Sequence, residues 1–301
     1  MINAQEISRS QYLQMSIAEP MLMDYHVHDY RSRDAPNATI EKYIEQAEKR
    51  GIKEIVFTTH LIIDGPDIST GIRSNEIEDY LNDIWKAREE TDVELKAGFE
   101  VDYFYEKEPV IDKLVNEYDL DFVLGSVHTI DGKNIGVSET SYELFENKSV
   151  KSVIEDYFKQ WGYAVESEIF DVMSHPDYFR KFLPVNAVEW GDYGENVLKA
   201  LDALKSYNVG FEINTSGFRH GIEDKFPVDD FIYNARDIGI STITLGSDSH
   251  YPGTLGYKLL DAAIFLKKEG FRTVSTFKSR RESRVPIDNI FKKTTPSSNL
   301  D

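Results

Sequence analysis

Cysteine is absent from all 301 residues. That excludes a disulfide framework and any thiolate metal site. A metal could only be held by imidazole nitrogen and carboxylate oxygen, a donor set that suits Zn, Mn or Fe(II) better than Cu(I) or iron–sulfur clusters. Basic residues are few: 34 Lys and Arg stand against 53 Asp and Glu, a formal net charge of −19. Neutralising phosphate backbones needs clustered positive charge, so nucleic acid is not an expected partner. No apolar run is long enough to span a bilayer, and "MINAQEISRSQYLQMSIAEP" (1–20) lacks the apolar core of a signal peptide. The expectation is a soluble cytoplasmic protein with no membrane partner. A Walker loop, a Gly-rich dinucleotide fingerprint, internal repeats, low-complexity blocks and Pro/Gly linkers are missing too.

What remains is enough for a large core, with 41% hydrophobic residues, 12% of the chain being aromatic. Short apolar runs alternate with amphipathic stretches. The runs are "MLMDYHVH" (21–28), "IKEIVFTTH" (52–60), "ELKAGFEVD" (94–102), "DFVLGSVHT" (121–129), "DVMSHPD" (171–177), "VGFEINTSG" (209–217) and "TITLGSDSH" (242–250). Helical patterns such as "ATIEKYIEQAEKRG" and "KSVIEDYFKQWGYAVES" separate them. The gaps allow right-handed helical crossovers, so the chain reads as an α/β protein of seven β/α units around a parallel sheet closed into a barrel. Residues 1–20 read as an extension, 21–290 as the domain and 291–301 as a disordered tail.

Histidine is also scarce, and its placement is informative. Six of the seven lie at or just past the end of an apolar run: His26, His28, His60, His128, His175 and His250. Glu100 and Asp248 hold equivalent places in the third and seventh runs. On a strand, residues two apart share a face, so His26 and His28 converge, and Asp248 and His250, again two apart on one strand, repeat that geometry. Pro176 biases His175 towards an extended backbone. In parallel barrels the C-terminal rim carries the active site, with residues drawn from many strands. One such histidine would be read as structural; six on one rim point to a multinuclear metal centre.

The ordered motifs "DYHVH", "TTH", "GFEVD", "LGSVHTIDG", "MSHPD" and "GSDSH" resemble the PHP (polymerase and histidinol phosphatase) superfamily, over about residues 22 to 285. "LGSVHTIDG" and "FEINTSGFR" resemble its histidinol-phosphate phosphatase branch. The resemblance implies a distorted (β/α)7 TIM-like barrel with two to three divalent ions (Zn, Mn or Fe). It puts His26, His28, Glu100 and Asp248 on one metal. Glu100 bridges to a second, held also by His128 and His175, while His60 and His250 hold a third. Asp34 stands where the family often has another histidine, six residues after the opening pair, and is a further candidate ligand. Glu100, Asp248 and His250 are then the expected catalytic residues.

The implied chemistry is hydrolysis of a small phosphate ester by a metal-activated hydroxide, with no protein nucleophile. Within the branch this means L-histidinol phosphate, cleaved to L-histidinol and phosphate in histidine biosynthesis. Two alternatives are a PHP phosphoesterase for another small ester or nucleotide, and a non-catalytic metal-stabilised module of the kind found in some polymerases. An amidohydrolase barrel also opens with an HxH pair but usually bridges its metals with lysine, where this chain offers Glu100. Arg219 in "NTSGFRHG" is a candidate phosphate clamp, since a guanidinium fork matches phosphate oxygens. Arg180 and Lys181 in "HPDYFRKF" are further candidates, and His220 reads as a substrate contact rather than a ligand. "DLDFV" (119–123) resembles an aspartyl-nucleophile motif, but its strand follows instead of preceding it. "IIDGPD" (62–67) stands alone and is discounted.

Overall fold

Each of the seven apolar runs forms a strand, because a parallel strand covered on both faces needs near-continuous apolar residues. The computed structural model describes residues 22–183 and 189–291, so the proposed extension at 1–20 and the tail after 291 lie outside the described residues. The strands are β1 (Leu22–Val27), β2 (Ile52–Leu61), β3 (Glu94–Asp102), β4 (Phe122–Ser126), β5 (Val172–Met173), β6 (Gly210–Asn214) and β7 (Ile243–Gly246). They pair in chain order, all parallel. Closure between β7 and β1 rests on a parallel bridge of Val27 with Ser249, whose backbone exchanges hydrogen bonds with His28 (2.9 Å) and His26 (3.0 Å). Register shifts between β1 and β2 and a two-residue β5 make the barrel irregular. This is the distorted (β/α)7 barrel expected from the sequence.

The crossovers are helices α1 (Ile40–Arg50), α2 (Ile77–Arg88), α3 (Glu108–Asn116), α4 (Ser138–Asn147), α5 (Val150–Glu166), α6 (Trp190–Tyr207) and α7 (Asp229–Ile238), with α8 (Leu259–Lys268) after β7. Helix α1 shows how local sequence sets its limits. The Thr39 side chain accepts from the Lys42 amide, and Gly51 ends the helix at φ 69°. No helix among the described residues is long and apolar enough to cross a membrane.

Beneath the barrel lies an antiparallel hairpin that the sequence did not suggest, β8 (Thr273–Lys278) with β9 (Arg281–Pro286). It is fastened to the strand starts by polar contacts. Lys96 Nζ lies 2.7 Å from both Glu54 Oε1 and Thr276 Oγ1, and the Arg280 guanidinium grips Asp171 at 3.0 to 3.1 Å. With this end plugged, the opposite rim is left for chemistry.

The middle of the sheet depends on one glycine. A Cβ at Gly98 would sit 2.4 Å from the Phe122 carbonyl oxygen on β4, a backbone atom that cannot swing aside. Gly98→Ala is expected to lower the urea midpoint at unchanged slope, a loss of about 1–3 kcal/mol from overpacking. An unaltered midpoint would mean that β3 and β4 separate freely here.

Candidate metal centre

The rim gathers its ligands around one carboxylate. Glu100, near the end of β3 and 1% exposed, divides the site with its two oxygens. Its Oε2 lies 3.1 Å from His26 Nε2, 3.4 Å from His28 Nε2 and 3.1 Å from His60 Nδ1. Its Oε1 lies 3.0 Å from His175 Nε2 and 3.4 Å from His128 Nε2. Asp248 Oδ1 closes the first group, 3.7 and 3.6 Å from the same nitrogens of His26 and His28. A third group forms at the mouth, where Asp34 Oδ2 is 3.2 Å from His250 Nε2 and 3.5 Å from His60 Nε2. Every candidate ligand named from the sequence is therefore brought into this one cluster.

One placement differs from expectation. Asp248 and His250 do not lie on a strand, because β7 stops at Gly246 and Asp248 turns into the left-handed region at φ 53°. The turn is held from below. Buried Asp24 accepts from the Ser247 amide (2.9 Å), the Ser247 hydroxyl and the Gly256 amide (2.8 Å).

The donor set fits divalent metal ions. His26 Nε2, His28 Nε2, His60 Nδ1 and Glu100 Oε2 are buried and have no hydrogen-bond partner. Such atoms normally find partners, because leaving one unmade costs its full desolvation penalty. Here the unpartnered atoms face one another, and three overlapping trios, His26–His28–Glu100, His60–Glu100–His128 and His28–His60–His250, have ligand atoms within 4.8 Å. Electrostatics point the same way. Burial pulls the imidazoles of His26 and His60 down, yet the surrounding carboxylates hold both well above the usual histidine range. Burial likewise lowers His250, but Asp248 and Asp34 lift it to about 9. Glu100, despite burial, is held well below the carboxylate range by its histidines. The carboxylates of this pocket call for positive charge.

Sequence reading missed the residues that aim the ligands. Asp102 Oδ1 sits 2.5 Å from His128 Nδ1, Glu212 Oε1 2.8 Å from His26 Nδ1, and Ser32 Oγ 3.1 Å from His28 Nδ1. Ser126 donates to Glu100 Oε1 at 2.6 Å. Such partners fix the imidazole tautomer and orient the ring. Asp102 carried a signal, since it follows Glu100 by two in "GFEVD" and so shares its face; Glu212 and Ser32 carried none.

The cluster forms the floor of a cavity of about 440 Å³, walled by Tyr178, Lys181, Arg219, His220 and Tyr251. Lys181 donates to the Tyr178 hydroxyl at 2.8 Å, and burial lowers its ammonium below the usual range. Arg219 is only partly free. Its Nη2 is committed to the carbonyls of Ser247 (2.7 Å) and Asp248 (2.9 Å), leaving a buried Nη1 without a partner. The Nη1/Nη2 fork is therefore not open to phosphate as a pair, and Nη1, with its two N–H groups, is the terminal nitrogen left without a partner. Arg180 does not line the cavity. Its guanidinium pairs with Asp177 (2.9 Å) and Asp224 (3.2 Å), away from the residues that line the cavity.

The chain is similar to known proteins over most of its length. A probable histidinol-phosphatase of Deinococcus radiodurans is 28% identical over 268 residues, covering 86% of this chain and 98% of that one. A histidinol-phosphatase of Lactococcus lactis is 26% identical, covering 85% and 94%. The crystal structure of histidinol phosphate phosphatase from L. lactis, complexed with zinc, L-histidinol and phosphate, superposes with a TM-score of 0.73 at 23% identity, covering 87% of this chain and 99% of that one. The same barrel is therefore shared. The family model described as the PHP domain matches residues 24–216, well over half of the sequence, and this chain belongs to that family.

Proposed function

We propose that this protein is a metal-dependent phosphomonoesterase that hydrolyses L-histidinol phosphate to L-histidinol and phosphate, using two to three divalent ions drawn from Zn, Mn and Fe(II). The observation that carries the reading is the divided use of Glu100, one oxygen for each of two imidazole groups, on the floor of a cavity whose wall includes Lys181 and Arg219. The names of the relatives support the choice of ester.

Metal ions held there would supply Lewis acidity, lowering the pKa of water and neutralising charge on the phosphoryl oxygens. The chain's own residues do the rest. His26, His28, Glu100 and Asp248 would hold one ion, His128 and His175 a second with Glu100 shared, and Asp34, His60 and His250 the third. Lys181 and Arg219 supply local positive charge, which a chain of net charge −19 must provide to draw in a phosphate ester. His220 lies at the cavity wall and would contact the substrate rather than a metal ion.

The test is phosphate release from a panel of monoesters by protein reconstituted separately with Mn, Zn and Fe(II). L-histidinol phosphate should be hydrolysed with the highest kcat/KM. If a different ester wins, the substrate assignment moves to that ester; if no ester is hydrolysed, the catalytic reading fails. Arg219→Ala should lower kcat/KM by a similar factor for histidinol phosphate and for an aryl phosphate. The loss should be on the order of 10²-fold or less, as expected for one charge-assisted contact worth about 1.5–3 kcal/mol. A loss confined to histidinol phosphate would assign Arg219 to the leaving group instead.

A further inference from the structure

Glu212 is fully buried on β6, and the nearest group able to carry positive charge to its carboxylate is an imidazole. Its Oε1 lies 2.8 Å from His26 Nδ1. Its Oε2 accepts from the His175 amide at 3.1 Å and from Asn214 Nδ2 at 2.9 Å. One side chain thereby touches two of the imidazole-bearing segments, the ring of His26 on one side of the centre and the backbone of His175 on the other. Because a carboxylate can only accept, it fixes a hydrogen on His26 Nδ1 and leaves Nε2 as the nitrogen directed at Glu100 Oε2 (3.1 Å) and Asp248 Oδ1 (3.7 Å). Facing two carboxylate oxygens, that nitrogen holds a proton or a metal ion, and it can bind a metal once the proton is shed.

The neighbouring strand is cut away to permit this. In the barrel order β7 lies between β6 and β1, so the Glu212 carboxylate has to pass over β7 to reach His26. It passes at Gly246. A Cβ there would fall 1.8 Å from Glu212 Oε1 and 2.6 Å from His26 Cβ. Gly246 needs no special backbone angle, since its φ is not in the left-handed region. Its missing side chain is explained by the carboxylate that crosses it.

We infer that Glu212, seated over Gly246, is the positioning residue that sets metal affinity at the His26 end of the centre and couples it to the His175 end. The inference rests on the proposed reading of the cluster as a metal site. Loss of such a carboxylate partner commonly costs 10–100-fold in metal affinity. Glu212→Gln keeps the shape but places an amide donor against either the His175 N–H or the His26 Nδ1–H.

The experiment measures Zn(II) stoichiometry and affinity by chelator competition for wild type, Glu212→Gln and Glu212→Asp. It adds the visible spectrum of each Co(II)-loaded protein. Wild type should bind at least two ions. Glu212→Gln should bind one of them 10–100-fold more weakly with an altered Co(II) spectrum, and Glu212→Asp, which keeps the charge, should recover part of the loss. Equal affinities and spectra for wild type and Glu212→Gln would overturn the inference while leaving the metal reading intact. A wild type that binds no ion would instead overturn the metal reading, and this inference with it. A second measurement needs no variant and covers the case in which Glu212→Gln does not fold: long-range ¹H–¹⁵N spectra of histidine in the Zn(II)-loaded wild type. His26 should show a protonated Nδ1 and a ligated Nε2, and the opposite tautomer would refute the role given to Glu212.

Discussion

Glu100→Gln is expected to reduce kcat/KM for phosphate-ester hydrolysis by at least about 10³-fold, on the order of 4 kcal/mol of transition-state stabilisation. The size follows from position. One oxygen of Glu100 faces His26, His28 and His60, and the other faces His128 and His175. The amide removes charge shared by two metal positions and turns one of those oxygens into a donor. No other carboxylate in the cluster reaches both groups. Asp34 touches the mouth, at His250 and His60, so Asp34→Asn should cost far less, roughly 30-fold or below if each of the two lost contacts is worth about 1 kcal/mol. Metal analysis should show Glu100→Gln losing ions from both positions while Asp34→Asn keeps them. Comparable activity losses from the two variants would mean that Glu100 is not the bridge, or that Asp34 is more central than its place at the mouth suggests.

These predictions depend on parts of the molecule that were legible in the sequence to different degrees, for physical reasons. Barrel strands covered on both faces are nearly pure apolar runs, so their ends could be read within a few residues, and the rim histidines with them. Where the chain leaves the strand, the alternation rule stops applying. That is why Asp248 and His250 occupy a left-handed turn pinned by Asp24, although two-residue spacing suggested a strand. Arg180 and Lys181 show the same limit. Both stand in a 3₁₀ turn (Tyr178–Phe182), where successive side chains point about 120° apart. Lys181 therefore faces the cavity while its neighbour binds Asp177 and Asp224.

The hairpin below the barrel was hidden for another reason. Its turn passes through Ser279 and Arg280 at φ 47° and 61°, with no Asn or Gly to announce it. The cause is tertiary. Arg280 is drawn to Asp171, and the Ser279 amide reaches Asp121 Oδ1 at 3.1 Å. Glu212 is the clearest case of information that one sequence does not expose. Nothing in "FEIN" ties it to a histidine 186 positions away, and only the closed barrel brings the two together.

Removing the metals should have the other large effect. Dialysis against a chelator is expected to abolish hydrolysis and to lower the melting temperature together. Ions that bind only the folded chain stabilise it by RT ln(1 + [L]/Kd), about 4 kcal/mol at a thousandfold excess over Kd. In a domain of this size one kcal/mol moves Tm by roughly 2–4 °C, so the stripped protein should melt roughly 8–16 °C lower. The loss is not merely of a ligand. Without cations, Glu100 and Asp248 are left among His26, His28 and His60, each with one buried nitrogen that has no hydrogen-bond partner, and a proton can replace a divalent ion only in part. Because the imidazoles must shed protons to bind metal, the Tm gap between loaded and stripped protein should narrow as pH falls. Adding back Zn, Mn or Fe(II) should restore activity and melting temperature in parallel, with each ion giving its own specific rate. Scanning calorimetry, elemental analysis and phosphate release on the same samples decide the matter. A metal-free preparation that keeps full activity would overturn the metal centre, and one that loses activity but keeps its melting temperature would show that the ions are bound too weakly to contribute to the fold.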